Sequence, residues 1–344
     1  MYSLELLNQD SADLWEQTLK ACPESLPFHS IAWREALSGT FKQLTPLYFL
    51  IKENDAIIGG LPAFVYQPIR GIKMLHSMPW DLFGGIQLHY KSSVDFGRLL
   101  EDVDTQLVPF VAEGNLCETV FTLSPSQTQL YGQNLIAAGY QKHEDRSTHL
   151  LKVHPDYDFM WTAYNKDVRG AIRKASSTGV RICETKSISD LESFYEIYLA
   201  TQKRLRETPK PLPLLRSLLR SNISQLVIAK YSGLIIAGLL YLHFNRTVTL
   251  WIGASVPEFW EYRPNNVLVH HIIKWACEEG YRLVDFGASR PDNPGVISFK
   301  EAFQAQRSNF ASYIKIHSPI KRAMWEKSEP VLRQLNMWVQ RSRS

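Results

Sequence analysis

"IKENDAIIGGL", residues 51–61, and "AKYSGLIIAGL", residues 229–239, are two stretches that align without a gap. The identical residues are Lys52, Ile57, Ile58, Gly60 and Leu61 in the first stretch, and Lys230, Ile235, Ile236, Gly238 and Leu239 in the second. Each copy is an apolar strand, a polar turn (Asn54-Asp55 or Ser232-Gly233) and a second apolar strand, which predicts a β-hairpin. Because the copies lie about one domain length apart, the pair predicts a duplicated unit.

Helical patterns stand before and after each hairpin. They cover residues 11–22 and 189–205 before the hairpins, and residues 92–114 and 265–280 after them. Ser189, with Glu192 three residues on, predicts an N-cap with a capping box, and Gly280 predicts a left-handed C-cap. A short strand, "YRLVDFG", follows Gly280. The pattern predicts an α+β fold in which helices pack on sheets.

Length and composition favour a globular protein of two domains. The chain has 344 residues, of which 45% are hydrophobic and 12% aromatic, enough for two cores of ordinary size. We place a first domain at residues 1–150 and a second at 151–318. Residues 319–344 are predicted to form a basic amphipathic helix that packs on the first domain or stays free.

The charge and the termini limit the partners. A net charge of +4 permits anionic partners but is too small for an arginine-rich nucleic-acid binder, so no DNA partner is expected. The four cysteines lack metal-type spacing, so reduced thiols and no metal site are expected. No signal pattern opens the chain and no apolar run reaches the ~20 residues of a membrane helix, so we expect a cytoplasmic protein without a transmembrane segment. The basic tail, whose apolar residues include Trp325, Leu332, Leu335, Met337 and Trp338, permits peripheral contact with an acidic membrane.

A run of basic residues lies between the two halves. It predicts a helix that ends before Gly179 and carries Lys166, Arg169, Arg173 and Lys174. These side chains are candidates for gripping the phosphates of a tRNA. The alternative is an ordinary solvated helix face.

Several stretches, in order and spacing, resemble the FemABX family, whose members add amino acids to peptidoglycan precursors. They are "MPWDLFGG" (78–85), "WTAYNKDVRGAIRKASSTGV" (161–180), "TLWIGAS" (249–255) and "GVISFKEAF" (295–303), together with the first hairpin. The likeness runs from about Trp33 to about Tyr313. It implies two tandem domains of the GNAT acyltransferase type, in agreement with the internal repeat.

The resemblance also implies roles for residues in the second half. Phe299 and Lys300 match the family's Phe-Lys pair, in which the lysine lies beside the reacting carbonyl. Lys210 falls near the basic residue that helps to hold the diphosphate of a nucleotide-linked acceptor. Tyr262, Pro264 and Asn265 match the turn that leads into the second domain's long helix.

In the first half the match is incomplete. The family has a phosphate-binding lysine after the first-domain tryptophan, whereas here Trp33 is followed by Arg34, with Leu37 where a lysine is expected. We take Trp33 and Arg34 as substrate-binding candidates. The long helical hairpins of some members are missing.

Lys300 and Asp285 are the candidates for chemistry. An ammonium aimed at the oxyanion of acyl transfer is worth about 3–4 kcal/mol, and Phe299 is expected to pack under the stem of Lys300. The alternative is a surface lysine in the first turn of a helix, with Phe299 and Phe303 as core contacts. Asp285 ends a strand and orients the amine or accepts its proton, or else it caps backbone amides of the following loop.

No GxSxG elbow or Cys-His pair is present, so direct attack by an amine is expected. The turn "WEYRPNNVL" lacks the glycines with which related enzymes hold acyl-CoA, which favours an aminoacyl-tRNA donor and no bound cofactor. The acceptor is then a nucleotide- or lipid-linked envelope precursor. The alternatives are an acyl-CoA-dependent N-acetyltransferase acting on an amino sugar, and a non-catalytic binding module.

Overall fold

The structure, a computed structural model, describes residues 1–89, 93–111 and 116–329. The chain divides into two compact units: unit 1 comprises residues 1–145 and 310–344, and unit 2 comprises residues 146–309. The domain limits at residues 150 and 318 stay a prediction.

Unit 1 begins with a β-strand and, in its described residues, combines a run of antiparallel strands with four α-helices. Its strands are β1 (Tyr2–Leu6), β2 (Leu44–Glu53), β3 (Ala56–Ile69), β4 (Ile72–His76), β5 (Gln87–Leu88) and β6 (Leu116–Thr122). Its α-helices are α1 (Ala12–Ala21), α2 (Ile31–Thr40), α3 (Phe96–Val111) and α4 (Pro125–Ala137). Short 3-10 helices cover Gln9–Ser11, Pro27–His29 and Pro79–Asp81. Strand β7 (Gln141–Lys152) then carries the chain into unit 2.

Unit 2 has a similar order of elements, preceded by two further helices. Its strands are β8 (Arg181–Thr185), β9 (Ser224–Tyr231), β10 (Leu234–Phe244), β11 (Thr247–Ser255) and β12 (Leu283–Ala288). Its α-helices are α5 (Tyr157–Ala163), α6 (Lys166–Ser177), α7 (Ile188–Leu205), α8 (Leu212–Arg220), α9 (Pro264–Glu278) and α10 (Pro294–Ala302), and a 3-10 helix covers Pro257–Tyr262. Strand β13 (Gln306–Ile316) returns the chain to unit 1.

The strand orders of the two units correspond. Unit 1 has the order β1-β2-β3-β4-β6-β13, with β5 beside β3, and unit 2 has the order β8-β9-β10-β11-β12-β7. Along these orders one pair in each unit is parallel, β4 with β6 and β11 with β12, and the other pairs are antiparallel. The last strand of each order is distant along the chain from the strand it pairs with. In unit 1, β13 pairs with β6, and in unit 2, β7 pairs with β12.

Both predicted hairpins are confirmed. Asn54 and Asp55, and likewise Ser232 and Gly233, have positive φ angles, as a type I′ turn requires. The register shifts once in each hairpin, which leaves Ile58 or Ile236 as an extra residue. A shift at matching positions of the two copies makes this bulge part of the repeated design.

The repeated glycines have a shared physical reason. A Cβ atom at Gly60 would lie 2.5 Å from the ring of Trp15 on α1, and one at Gly238 would lie 2.4 Å from the ring of Phe194 on α7. In each unit the missing side chain lets an aromatic ring of the first α-helix after the first strand of the unit's strand order pack directly on the hairpin.

Each unit has its own hydrophobic core. The core of unit 1 includes Phe49, Leu61, Leu99, Phe121 and Tyr140. The core of unit 2 includes Tyr164, Tyr241, Ile272, Val284 and Phe303. Apolar sheet faces are therefore covered by helices in both units, as the sequence predicted.

Helix ends largely follow the sequence, with one correction. Helix α6 ends before Gly179, and Gly280, with φ +74°, follows the end of α9 as predicted. The N-cap predicted at Ser189 is wrong, because α7 begins earlier and the hydroxyl of Ser187 accepts the hydrogen bond from the Asp190 amide. Two serines two residues apart offer the same local signal, and Ser189 instead shares a hydrogen bond with Ser187.

Residues 319–329 are helical and belong to unit 1. Trp325 is buried there against Ile72, Met74 and Cys117, and its ring lies 6.1 Å from that of Tyr66. Leu332, Leu335, Met337 and Trp338 lie outside the described residues, so the packing of the whole tail stays a prediction. Within the described ranges, none of the helices combines the length and apolarity needed to cross a bilayer.

Candidate active site

The parallel strands of unit 2 separate at a defined point. Strands β11 and β12 pair only from Thr247–Leu283 to Thr249–Asp285. Beyond that pair β11 continues to Ser255, still bonded to β10, and β12 continues to Ala288. The split lies at the carboxyl ends of two parallel strands, where α/β sheets bind their ligands.

Helix α10 places Lys300 against the end of β12. The helix begins at Pro294, and the side chain of its N-cap Asn293 accepts a hydrogen bond from the Val296 amide. Lys300 is only 6% exposed, and its Nζ lies 2.6 Å from the carbonyl oxygen of Gly287 and 3.2 Å from that of Ala288. An ammonium has three N–H donors, and the described residues supply acceptors for two. The alternative of a surface lysine in the first turn is wrong, because Lys300 is buried in the last turn.

Burial changes the chemistry of this lysine. It lowers the pKa of Lys300 to about 8, while the charge of Asp285 acts in the opposite direction. Removing water disfavours the charged form, and a nearby carboxylate favours it. Lys300 is therefore an ammonium at neutral pH, but one that loses its proton far more readily than an exposed lysine.

Asp285 lies beside the loop that holds Lys300. It is 3% exposed, and its Oδ1 accepts hydrogen bonds from Thr148 Oγ1 at 2.5 Å and from the Gly287 amide at 2.8 Å. Burial raises the pKa of Asp285, whereas these two hydrogen bonds and the charge of Lys300 lower it. Gly287 has φ +74°, a conformation that favours glycine. Asp285 thus forms the loop-capping contact that was the alternative to a direct role on the amine.

Phe299 packs within its own helix face. Its ring lies 5.3 Å from that of Phe303, which in turn lies 5.3 Å from Tyr164. This is the i, i+4 core contact considered for the pair. Packing of Phe299 under the stem of Lys300 stays a prediction.

The turn before α9 is built by side-chain hydrogen bonds. The hydroxyl of Ser255 accepts from Trp260 Nε1 at 2.9 Å and from Asn265 Nδ2 at 3.0 Å. Tyr262 stacks on Tyr231 with ring centroids 4.5 Å apart. The side-chain amide of Asn265 therefore donates one hydrogen bond within the turn, which fixes its orientation. Asn265 stays a candidate for substrate binding.

Lys210 lies between α7 and α8 on a segment held by two tyrosines. Its amide donates to the hydroxyl of Tyr198, and its carbonyl accepts from the hydroxyl of Tyr195, each at 3.0 Å. The lysine is partly exposed. The backbone is therefore fixed while the side chain reaches the surface.

The basic helix α6 is only partly available to a ligand. Arg169 donates to the carbonyls of Thr162 and Tyr164 at the end of α5, and Arg173 lies over the ring of Trp161 at 5.7 Å. Lys166, Arg173 and Lys174 are exposed. Two of the four predicted tRNA contacts thus also serve the packing of unit 2.

In unit 1, Trp33 and Arg34 occupy α2. Trp33 is fully buried, and its ring lies 5.0 Å from that of Phe28, so it packs in the core rather than facing a ligand. The guanidinium of Arg34 lies 5.6 Å from the centre of the Tyr48 ring.

Sequence reasoning missed three polar residues around the strand split. They are Thr148, which bonds Asp285; Thr249, whose enclosed hydroxyl has no partner among the described residues; and His149, whose Nε2 lies 3.7 Å from Glu301. All three lie in β-strands, β7 and β11, whose sequence pattern gives no sign of a functional site. The one usable signal was a histidine inside the otherwise uncharged run "STHLL".

Comparison with known proteins identifies a domain that contains Asp285 and Lys300. Residues 163–300 match the family model described as "Acetyltransferase (GNAT) domain", and Lys300 is the last residue matched. A comparison with curated protein sequences gave no match.

Solved structures resemble the whole chain. A crystal structure of FemX has a TM-score of 0.77 at 13% identity, covering 94% of this chain and 99% of that one. A tandem GNAT protein from the clavulanic acid biosynthesis pathway has a TM-score of 0.56 at 12% identity, with 93% and 99% covered. The C-terminal domain of a putative lysylphosphatidylglycerol synthetase from Agrobacterium fabrum has a TM-score of 0.56 at 10% identity, with 94% and 96% covered.

These likenesses confirm the α+β fold of two tandem GNAT-like domains that the internal repeat and the family resemblance predicted. Together with the domain match, they support an acyltransferase. The chain has a FemABX-like GNAT fold, with a GNAT acetyltransferase domain at residues 163–300.

Proposed function

We propose that the protein is an N-acyltransferase that moves an aminoacyl group from an aminoacyl-tRNA to an amine of a cell-envelope precursor. The observation that carries the proposal is the buried ammonium of Lys300, held by two carbonyls where the parallel strands separate. A desolvated cation at the mouth of a strand split is suited to stabilising negative charge that develops in a reaction.

The reaction needs no covalent intermediate. The acceptor amine attacks the ester carbonyl of the donor, a C–N bond forms, and the C–O bond to the tRNA ribose breaks. The amine gives up a proton, and the ribose oxygen takes one. The third N–H of Lys300 donates to the carbonyl oxygen as it becomes an oxyanion, a contribution of about 3–4 kcal/mol.

The acceptor is a nucleotide- or lipid-linked precursor of the envelope. The resemblance to the FemABX family supports this choice, as do neighbours named FemX and lysylphosphatidylglycerol synthetase. In unit 2, Lys210 supplies positive charge for a diphosphate, and Tyr262 and Asn265 supply hydrogen-bonding groups. In unit 1, Arg34 is a separate candidate for substrate binding. Trp33, being buried, supports the helix that carries Arg34.

The donor is a tRNA because the acyl-CoA signature is missing at α9. The residue that precedes this helix, Arg263, has φ +57° in a position where a glycine would allow close approach of a pyrophosphate. Lys166 and Lys174, with Arg169 and Arg173 beside them, provide a basic surface for the tRNA. Its affinity should fall steeply with salt.

An acyl-CoA-dependent N-acetyltransferase acting on an amino sugar is the second candidate. It is favoured by the acetyltransferase description of the matched domain and by the tandem GNAT neighbour, whose structure is described as being without AcCoA. Titration calorimetry separates the two, because saturable binding of acetyl-CoA favours the second. A non-catalytic module would bind RNA and give no product with any donor.

The direct test is incubation with charged tRNAs or acyl-CoAs and envelope precursors, with products read by mass. Lys300→Ala should abolish transfer, and Lys300→Arg should retain part of it. Lys274→Ala is the matched control, because Lys274 is a lysine of unit 2 whose side chain is 49% exposed on α9. Full turnover by Lys300→Ala would overturn the proposal.

We further propose a cytoplasmic location, where charged tRNAs are made, with peripheral contact to an acidic membrane. On the helix at residues 319–329, Trp325 is buried while Ile320 and Met324 are 76% and 54% exposed. Residues 319–344 contain six basic and two acidic residues, so their net charge is +4, the same as the net charge of the whole chain. Ile320→Ser/Met324→Ser should reduce co-sedimentation with phosphatidylglycerol vesicles. Equal binding to neutral vesicles would contradict the proposal.

A further inference from the structure

A chain of hydrogen bonds connects Thr148 on β7 to Lys300 on α10. Thr148 Oγ1 donates to Asp285 Oδ1 at 2.5 Å, and the same oxygen accepts from the Gly287 amide at 2.8 Å. The carbonyl of Gly287 then accepts from Lys300 Nζ at 2.6 Å. One residue, Gly287, is therefore held at its amide by the carboxylate and at its carbonyl by the ammonium.

The chain is shielded from water. Thr148, Asp285 and Lys300 are 0%, 3% and 6% exposed. Hydrogen bonds in such surroundings are stronger than in water, and the loss of one partner leaves a costly unpaired group. The left-handed backbone of Gly287 therefore has a fixed orientation, and so does the carbonyl that binds Lys300.

We propose that Thr148 and Asp285 are positioning residues for Lys300: they fix the Gly287 peptide that holds the ammonium, and the carboxylate supplies a negative charge that acts on it. The proposal rests on the role of Lys300 in the proposed transfer. Thr148 has the more indirect part, since it touches only the carboxylate.

The other charges near Lys300 do not replace Asp285. From β7 comes His149, whose pKa is lowered by burial and by the charge of Lys300, so it is neutral near pH 7. On α10 itself, Glu301 has a side chain 52% exposed and faces His149 at 3.7 Å. From β13 comes Arg307, whose Nε donates to Ser147 Oγ at 3.0 Å. Asp285 is the group whose charge raises the pKa of Lys300 against the effect of burial.

Two substitutions separate charge from shape. Asp285→Asn preserves an acceptor for the Gly287 amide but removes the negative charge, so the lysine should lose its proton at lower pH. Thr148→Val removes a hydrogen bond that favours the ionised carboxylate. Asp285 is then protonated more easily, so the Lys300 midpoint should fall, as in Asp285→Asn but by a smaller amount. Thr148→Ser restores the hydroxyl.

The experiment is an NMR titration of the full-length protein labelled with ¹³C-lysine, in which Lys300→Arg identifies the Lys300 signal. We expect the wild-type midpoint near pH 8 and a midpoint lower by roughly one pH unit in Asp285→Asn. Thr148→Val should shift it less, and Thr148→Ser should return it toward wild type. The alkaline limb of the kcat/KM profile should move with the NMR midpoint.

Thr185→Val is the matched control, because Thr185 Oγ1 donates to Asp190 Oδ2 at 2.9 Å elsewhere in unit 2. It should leave the Lys300 titration unchanged. Circular dichroism melting identifies variants that do not fold. If Asp285→Asn is one of them, the comparison of Thr148→Val with Thr148→Ser still tests the proposal. A Lys300 midpoint equal to wild type in Asp285→Asn and Thr148→Val, or an equal shift in Thr185→Val, overturns the proposal.

The titration does not depend on turnover. Full transfer activity in Lys300→Ala would remove the proposed function while the NMR result still reports whether Thr148 and Asp285 control the lysine. An unshifted midpoint with lost transfer in Lys300→Ala would remove the positioning proposal alone.

Discussion

The two hairpins share features that a simple likeness of apolar strands would not produce. Each has a turn with two positive φ angles, an extra residue at the same place, Ile58 or Ile236, and a glycine under an aromatic ring. These features belong to the scaffold of the sheet. The units differ further along the chain, at their parallel strands.

In unit 1 the segment after β4 continues the hydrogen bonding to β6 beyond the parallel pair. The Ser77 amide donates to the Val120 carbonyl, the Gly84 amide to the Thr122 carbonyl, and the Thr122 amide to Ser77 Oγ. The segment after Gly84 is bonded to α4 by Gln127, whose side-chain Nε2 donates to the Ile86 carbonyl. In unit 2 the ladder between β11 and β12 stops at Thr249–Asp285.

The helices after the parallel strands also diverge. Helix α4 and helix α10 both begin with proline and are capped by Ser124 and Asn293. The seventh residue after the cap is Tyr131 in α4, stacked on Phe96 at 3.9 Å, and Lys300 in α10. The comparison teaches that the two units share a scaffold but differ at the end of the parallel pair, which is bridged by hydrogen bonds in unit 1 and lies beside a buried lysine in unit 2.

The largest expected effect tests this division of roles. Lys300→Met should lower kcat/KM by roughly 100- to 1000-fold, because it removes a donor to the oxyanion. Tyr131→Leu should leave kcat/KM within roughly twofold and lower the free energy of unfolding by about 1 kcal/mol through the lost ring stacking. Steady-state kinetics and urea unfolding measure both. Loss of transfer in a folded Tyr131→Leu protein would break the comparison.

The next effect concerns pH. Since the pKa of Lys300 is about 8, kcat/KM should fall roughly tenfold per pH unit above that value as the ammonium is lost. Lys300→Arg should remove this limb, because a guanidinium stays charged. A limb near pH 8 that survives in Lys300→Arg would assign it to another group.

The same pKa has a consequence for stability. Lys300 titrates near 8 in the folded protein and near 10.5 when unperturbed, so the unfolded chain binds more protons between these values. The free energy of unfolding of wild type relative to Lys300→Met should therefore rise with pH across that window. Guanidinium unfolding at pH 8 and pH 10 measures it, and a fall would contradict the lowered pKa.

The glycines test what the units share. Gly60→Ala and Gly238→Ala should each lower the free energy of unfolding by about 1–3 kcal/mol, because the new methyl group meets an aromatic ring. Gly39→Ala and Gly170→Ala are the controls in helices α2 and α6, where a Cβ meets nothing within 4 Å. They should stabilise by about 0.5–1 kcal/mol. If only one of Gly60→Ala and Gly238→Ala lowered the free energy of unfolding, the two hairpins would not be structurally equivalent.

The smallest effect concerns the turns. Asp55 has φ +68° where the second unit has Gly233 at φ +84°. Asp55→Gly should stabilise and Gly233→Asp should destabilise, each by about 0.5 kcal/mol, because a side chain is disfavoured in the left-handed region. Thermal melting of the two variants and of the double exchange compares them, and shifts of the same sign would contradict the expectation.

Local patterns predicted well wherever neighbours along the chain decide the structure. The hairpins, the helix ends at Gly179 and Gly280 and the strand containing Asp285 follow from periodicity and turn chemistry. Ser189 shows the limit, since a second serine two residues away carries the same signal. The candidate Trp33 shows another, because an aromatic residue in a helix gives no sign of whether it will be buried.

The site itself depended on contacts between distant residues. Thr148 and Asp285 are 137 residues apart and meet because β7 lies beside β12. The basic residues Arg169 and Arg173 were predicted as a tRNA surface, yet each also contacts unit 2 itself.

From the sequence alone came the duplication and the strand and turn chemistry, since each depends on residue type and short-range order. The choice of Lys300 came from the resemblance to the FemABX family. Only the tertiary structure decided that Lys300 is buried, that its ammonium binds two carbonyls and that hydrogen bonds bridge the corresponding strand ends of unit 1. The reason is physical. Desolvation and hydrogen-bond partners are set by whichever strands become neighbours, and that information is not carried by any single segment.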